Sequence, residues 1–166
     1  MFDPDKHHRR SIRLQGYDYT SAGAYFVTIC AYRRECLFGD VVNSSVEVSP
    51  FGQLASEGWL WLKEQYSYVG LDAWVLMPNH LHGILVQFPE PGQKVKPLGR
   101  LIGAFKTVTT KQVNLLRETP GNPLWQRNYY ERIIRNGGEL NAYRRYIAAN
   151  PAHWPLDREH PEDIDL

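Results

Sequence analysis

His80 and His82 stand on either side of a single leucine in the run Met77-Pro78-Asn79-His80-Leu81-His82-Gly83-Ile84-Leu85. The run reads as a β-strand, in which successive side chains point to opposite faces, so both imidazoles share one face and Leu81 takes the other. Such a strand can bury Leu81 in a core while it presents two imidazoles to one divalent cation, and an ion held by few protein groups keeps positions open for substrate. The same spacing also fits one histidine at a core edge and one at the surface. A second group of residues has to decide between the two.

That group lies about sixty-five residues downstream. Tyr146 and Asn150 are four positions apart in a segment with helical character, so they project from one helix face, one turn apart. If that face lies over the paired imidazoles, the Asn150 amide oxygen completes a three-ligand metal site and Tyr146 stands beside whatever the metal polarises. A phenol titrates near 10 and is a poor nucleophile until its proton is removed or masked. A metal that withdraws charge from a phosphate makes the phosphorus attackable and offsets the charge that develops there. The parts together describe covalent phosphoryl transfer through tyrosine. Tyr143, Tyr129 and Tyr130 are the rival nucleophiles; Tyr143 shares the helix, but Ile147 rather than a ligand-type residue follows it by four.

The elements that must position these groups follow from pattern. Ala24 to Tyr32 is rich in β-branched and aromatic residues and is expected to be a strand. Leu37 to Val48 reads as a hairpin turning at Asn43-Ser44-Ser45. Ser49-Pro50 supplies an N-cap and a proline at the first helical position of a helix over 50–65, whose apolar face holds Phe51, Leu54, Ala55, Gly58, Trp59 and Leu62. Leu71 to Met77 and His80 to Phe88 form a central strand pair joined at Pro78-Asn79. Leu98 to Leu116 is a long amphipathic helix with Lys106, Thr109, Thr110 and Lys111 on or near its polar side. Leu124 to Ile134 reads as one more strand, Gly137-Gly138 as a turn, and 139–149 as a final helix that stops before Pro151. The order strand, helix, strand, strand, helix, strand predicts a ferredoxin-like α+β fold: an antiparallel sheet, helices on one face, and a right-handed crossover that makes the His80 strand central.

At 166 residues the chain is most simply one domain: a basic arm over 1–23, a folded unit over 24–155 and an acidic tail over 156–166. No apolar run is long enough to span a membrane. The polar, basic start shows no secretory signal. Cys30 and Cys36 make neither a disulfide framework nor a zinc spacing, which fits a reducing cytoplasm. The net charge of +1 hides a segregation: residues 91–146 carry eleven Lys and Arg against three Glu, whereas 157–166 carry five acidic residues against Arg158. A basic segment beside an acidic end fits either a polyanion-binding surface or well-solvated helix faces.

Beyond these features, several blocks stand out together: Arg9-Arg10-Ser11-Ile12-Arg13-Leu14, Gly16-Tyr17-Asp18-Tyr19, Tyr25-Phe26-Val27-Thr28-Ile29-Cys30, the histidine run itself, Phe105-Lys106, Leu124-Trp125-Gln126-Arg127, Tyr129-Tyr130, Ile134-Arg135-Asn136 and Tyr146-Ile147-Ala148-Ala149-Asn150-Pro151. In these the chain resembles the REP-associated tyrosine transposases, within the IS200-like transposases of the HUH single-strand nuclease class, over nearly its whole length to Trp154. The resemblance implies that His80 and His82 are the metal-binding pair, Tyr146 the nucleophile and Asn150 the third ligand. It implies Mg²⁺ or Mn²⁺ as cofactor, and cleavage of single-stranded DNA beside a hairpin to leave a 5′-phosphotyrosine and a free 3′-hydroxyl. Ligation then reverses the same step in the cytoplasm, at the nucleoid. For the DNA, Arg9, Arg10 and Arg13 are candidates for an arm entering a groove, Arg100, Lys106 and Lys111 for contacts from the long helix, and Arg127 and Arg135 for contacts from the segment after it. Relatives in this class act as dimers sharing active sites or as monomers, so both states stay open. Two other readings stand beside this one: a domesticated hairpin-binding protein with vestigial catalysis, and an unrelated small metallohydrolase.

Overall fold

β-Branched and aromatic residues drive the first strand, β1, over Gly23–Cys30, where Tyr25, Val27 and Ile29 are fully buried on one face and Phe26 and Thr28 lie buried on the other. The chain, described by a computed structural model over residues 14–157, continues through the hairpin strands β2 (Gly39–Val42) and β3 (Ser45–Val48) into helix α1 (Pro50–Gln65). The Ser49 hydroxyl accepts the amide of Gly52 at 3.1 Å, and Pro50 occupies the first helical position where no donor is missed. β4 (Val69–Met77) and β5 (His80–Gln87) follow as an antiparallel pair, then helix α2 (Leu98–Leu116), β6 (Tyr130–Ile134) and helix α3 (Gly137–Ala149).

The main sheet has the order β4-β5-β1-β6 with every neighbour antiparallel, the ferredoxin-like arrangement, and the histidine strand is internal to it. Its two faces are used differently. α1 and α2 pack on one face through Trp59, Leu62, Leu101 and Phe105 against Tyr25, Val27, Leu81 and Leu85. α3 covers the other face, where Ile147 packs with Phe26 and Ile84. The expected placement of helices on one face therefore holds for the two long ones, while the third takes the histidine face. No helix of the described residues is long and apolar enough to cross a membrane.

Three local expectations are corrected. Leu124 to Ile134 is not one strand: Trp125 bridges Ala31, but regular pairing resumes only at Tyr130. Between them the carbonyls of Gln126, Arg127 and Asn128 turn toward the Lys106 ammonium, at 2.7, 3.4 and 3.0 Å, instead of toward a neighbouring strand. Gly137 and Gly138 open α3 rather than form a turn, because the Asn136 side chain accepts the amide of Glu139 at 2.9 Å and caps the helix there. Thr109 is fully buried, not on the polar side of α2; its hydroxyl donates to the Phe105 carbonyl at 2.8 Å and accepts from Trp125 Nε1 at 2.9 Å.

Gly83 shows how tightly the histidine strand is seated. A methyl group there would come 2.6 Å from Trp59 Cζ2, inside a rigid and fully buried ring. Gly83→Ala should cost roughly 1–3 kcal/mol through overpacking, read as a lower urea midpoint; an unchanged midpoint would contradict the packing described.

Candidate active site

The tight connection between β4 and β5 places the first imidazole. The Pro78 carbonyl accepts the amide of Phe38 at 2.9 Å and the Asn79 carbonyl accepts that of Ala31 at 2.8 Å, so the turn is tied to neighbouring chain on both sides. Asn79 is fully buried. Its side-chain amide donates to the Arg34 carbonyl at 3.2 Å, which leaves its oxygen facing His80 Nδ1 at 2.8 Å. An oxygen in that position requires the proton on Nδ1, and the lone pair of His80 then lies on Nε2.

On the next strand over, Thr28 Oγ1 lies 2.7 Å from His82 Nδ1. When that hydroxyl accepts, His82 likewise presents its lone pair on Nε2. The two Nε2 atoms are 3.0 Å apart. Two lone pairs at that distance repel unless a cation or proton lies between them, and about 3 Å is the spacing of adjacent ligands on an octahedral ion with bonds of ~2.1 Å. Burial holds both imidazoles far below their ordinary value, to about 3. For His80 the Asn150 side chain works against this and the charge of Arg34 adds to it; for His82, His80 adds and Asp157 opposes. Neutral imidazoles with outward lone pairs are the form that ligates metal.

The proton linkage can be tested on metal-free protein. The folded imidazoles titrate near 3 and the unfolded ones near 6.5, so the unfolded chain takes up protons first as the pH falls. Their contribution to stability is whole above pH ~6.5 and is lost progressively below it. In EDTA, the Tm should drop from pH 7 to 5, before carboxylates titrate, and less steeply in His82→Gln. A flat Tm over that window would contradict the burial.

α3 supplies the other groups. Its Tyr146 ring stands edge-on to His82 with centroids 5.3 Å apart, and about half of that residue is exposed. Asn150, at the C-terminal end of the helix, is buried, and its carboxamide oxygen has no hydrogen-bond partner among the described residues. Beyond it the chain makes a short 3-10 turn over Pro151–Leu156, which lays the Trp154 ring against His80 at 6.1 Å and returns Asp157 to the histidines. Asp157 Oδ2 is 3.5 Å from His80 Nε2. His80, His82 and Asp157 form a buried group whose ligating atoms all lie within 4.8 Å of one another, a set able to hold a metal ion, with the Asn150 oxygen close by. Phe26, Thr28, His82, Tyr130, Ala142, Tyr143, Tyr146 and Asp157 line a cavity of about 470 Å³ over this group.

The helix is fastened by a bidentate ion pair from Arg144 to Asp72, both contacts 2.7 Å, at the irregular point of β4 between Leu71 and Trp74. Arg144 holds the Asp72 carboxyl below the usual carboxylate range. The pair is partly solvated and contributes little stability.

His80, His82, Tyr146 and Asn150, drawn from two distant segments of sequence, thus meet at one place. The rival tyrosines are engaged elsewhere: Tyr143 stacks on Phe26 at 4.5 Å and burial raises its pKa, Tyr129 donates to Glu131 at 2.9 Å on the opposite face, and the Tyr130 hydroxyl accepts from Arg132. Sequence reasoning missed Asn79, Thr28 and Asp157. Asn79 carried a signal, being the turn residue next to the first histidine. Asp157 was hidden in the acidic run.

The basic candidates separate. Lys106 directs its ammonium at three carbonyl oxygens, and burial lowers its pKa to about 8, so it holds the 126–128 loop. Together with Lys111 and Arg127, it lines a groove between α2 and the 120–127 loop. Arg135 lines a different hollow beside Arg132, which sequence reasoning did not select. Arg100 is exposed near the start of α2. Arg9, Arg10 and Arg13, and the tail after Asp157, lie outside the described residues.

No protein-family model matches the chain. An uncharacterized protein of Haemophilus influenzae is 35% identical over 170 residues, covering 92% of this chain and 93% of its own. Among solved structures, a REP-associated tyrosine transposase bound to a REP hairpin superposes with a TM-score of 0.61 at 22% identity, over 84% of this chain and 73% of its own.

Proposed function

From a chain that belongs to one family with the Haemophilus influenzae protein and has the fold of the REP-associated tyrosine transposases, we propose a metal-dependent tyrosine transposase of the HUH class. It cleaves and rejoins single-stranded DNA at hairpin sequences through a 5′-phosphotyrosine. The observation that carries the reading is the meeting of the two Nε2 atoms, the Asp157 carboxylate, the Asn150 oxygen and the Tyr146 ring around one cavity.

His80, His82 and Asp157 would hold the ion, Mg²⁺ or Mn²⁺, with the Asn150 oxygen completing the set; the convergent lone pairs and the buried unpartnered oxygen fit such a group. When bound, the ion supplies Lewis-acid polarisation of the scissile phosphate. Asn79 and Thr28 orient the two rings from behind, as outer hydrogen bonds commonly do for ligating histidines. The Tyr146 oxygen attacks phosphorus and forms the tyrosyl ester as the bond from phosphorus to the 3′ oxygen breaks. The phenolic proton leaves through the exposed side of the ring, and the departing 3′ oxygen takes up a proton to become the hydroxyl. Rejoining runs the same exchange backwards. Tyr146 adjoins His82 of its own chain, which supports action in cis, whether the protein is a monomer or a homodimer.

The experiment is to incubate the protein with labelled single strands that carry the imperfect palindromes found beside its gene, with Mg²⁺ or Mn²⁺. Cuts at one position beside a hairpin, with a free 3′-hydroxyl, are expected. Inertness toward every such strand while hairpin binding persists would favour the domesticated binding protein instead.

A further inference from the structure

Beside the ligating groups, the cavity is walled by rings. Phe26 forms its nearly buried floor; Tyr143 stacks on it at 4.5 Å, and Tyr130 and Tyr146 stand edge-on to it at 6.5 and 5.9 Å. Phe26 also stacks with His82 at 5.4 Å, so the aromatic wall runs up to the metal-ligating face without a break. At the mouth, Tyr130 is about half exposed. Arg132 donates from Nε to the Tyr130 hydroxyl at 2.7 Å and lies over the same ring at 5.8 Å. On the far side of Tyr130, Arg132 and Arg135 line the adjoining hollow. Aromatic rings next to guanidinium groups form the pairing that single strands bind: a π-face for a base and a cation for the phosphate beside it. A strand laying its scissile phosphate against the histidines would put a neighbouring nucleotide at these rings, and its base must leave the stack for the backbone to reach so deep a site.

We propose that this aromatic slot receives one unstacked base flanking the scissile phosphate, with Tyr130 as its stacking surface and Arg132 as the contact to the adjacent phosphate. The proposal rests on the DNA-cleaving reading above and adds to it a base-binding subsite that accepts its occupant by stacking rather than by edge readout.

The test uses two small probes on the full chain in EDTA: thymidine 3′,5′-bisphosphate, and the same bisphosphate on an abasic deoxyribose. Titration followed by NMR should show roughly tenfold tighter binding of the base-bearing probe, the size expected of one stacked base, with shifts at Phe26 and Tyr143. Tyr130→Ala should remove that preference, so that the two probes bind alike, whereas Tyr130→Trp should keep it. Arg132→Ala should weaken both probes alike. Equal affinity of the unaltered protein for the two probes would overturn the proposal, as would shifts confined to the groove of Lys111 and Arg127, or a preference that survives Tyr130→Ala. Should Tyr130→Ala fail to fold, the unaltered protein and Tyr130→Trp still decide. Failure to cut any hairpin strand would instead count against the proposed reaction and would leave the probe result readable.

Discussion

Tyr146→Phe is expected to lose cleavage of a hairpin-flanked single strand by on the order of 10⁴-fold or more, the scale seen when a nucleophile is deleted outright. The substitution removes one oxygen and nothing else. The ring stays edge-on to His82 and Phe26 at the same place on α3, so the cavity keeps its wall and DNA affinity should change by less than about twofold. Single-turnover gel assays measure the first quantity and fluorescence anisotropy the second. Tyr143→Phe is the control: its ring is stacked on Phe26 and burial raises its pKa, so that variant should retain cutting. Equal cutting by Tyr146→Phe and the unaltered protein would remove the nucleophile assignment.

The second large effect is on the metal. EDTA should abolish cutting and Mg²⁺ or Mn²⁺ should restore it, and His82→Gln should lose at least about 10³-fold in activity, the loss expected when phosphate polarisation is removed from a site built around it. The cause is electrostatic. Two neutral imidazoles facing each other across 3.0 Å, next to a buried carboxylate, are stable as a set once a divalent charge joins them. Isothermal titration should show Mn²⁺ binding to the unaltered chain, weakened in His82→Gln and in Asp157→Asn. Full activity in EDTA would rule out the site. Asp157→Asn with unchanged Mn²⁺ affinity would leave the two histidines and Asn150 as the ligand set.

Much of this site was legible in the sequence because it is built from short periodicities. An alternation of two puts His80 and His82 on one face, and a helical spacing of four puts Tyr146 and Asn150 on another. The order of strands and helices was enough to place the histidine strand inside the sheet. What was not legible depends on long-range geometry. Asp157 reaches the histidines through a proline-bounded 3-10 turn that no hydrophobic period announces. Lys106 looks like any surface lysine until the chain twenty residues later brings three carbonyls to it, and that capture is also why Leu124 to Ile134 does not pair as one strand. Thr109 reads as polar on a helix face, but a threonine can return its hydroxyl to its own backbone and so enter a core. The Tyr146/Asn150 pair required α3 to lie over the histidines, but what holds it there, Ile147 packing on Phe26 and Ile84 and the Arg144–Asp72 pair, is contact across the fold that local pattern does not encode.

The charge segregation also resolves in part. Of the basic residues selected from sequence within the described chain, Lys106, Lys111 and Arg127 share one groove and Arg135 lines another, the Lys106 ammonium being also bonded to loop carbonyls. Arg132, which contacts Tyr130 at the edge of the cavity, was not among them.

The most direct measurement is the covalent intermediate itself. A hairpin-flanked single strand would be incubated with the protein and Mn²⁺, denatured, digested with protease and nuclease, and the nucleotide-bearing peptide sequenced by mass spectrometry. The account requires a 5′-nucleotide on the Tyr146 peptide, formed with Mn²⁺ and absent in EDTA. Cut DNA with no tyrosyl adduct, or an adduct carried by Tyr130 or Tyr143, would contradict it.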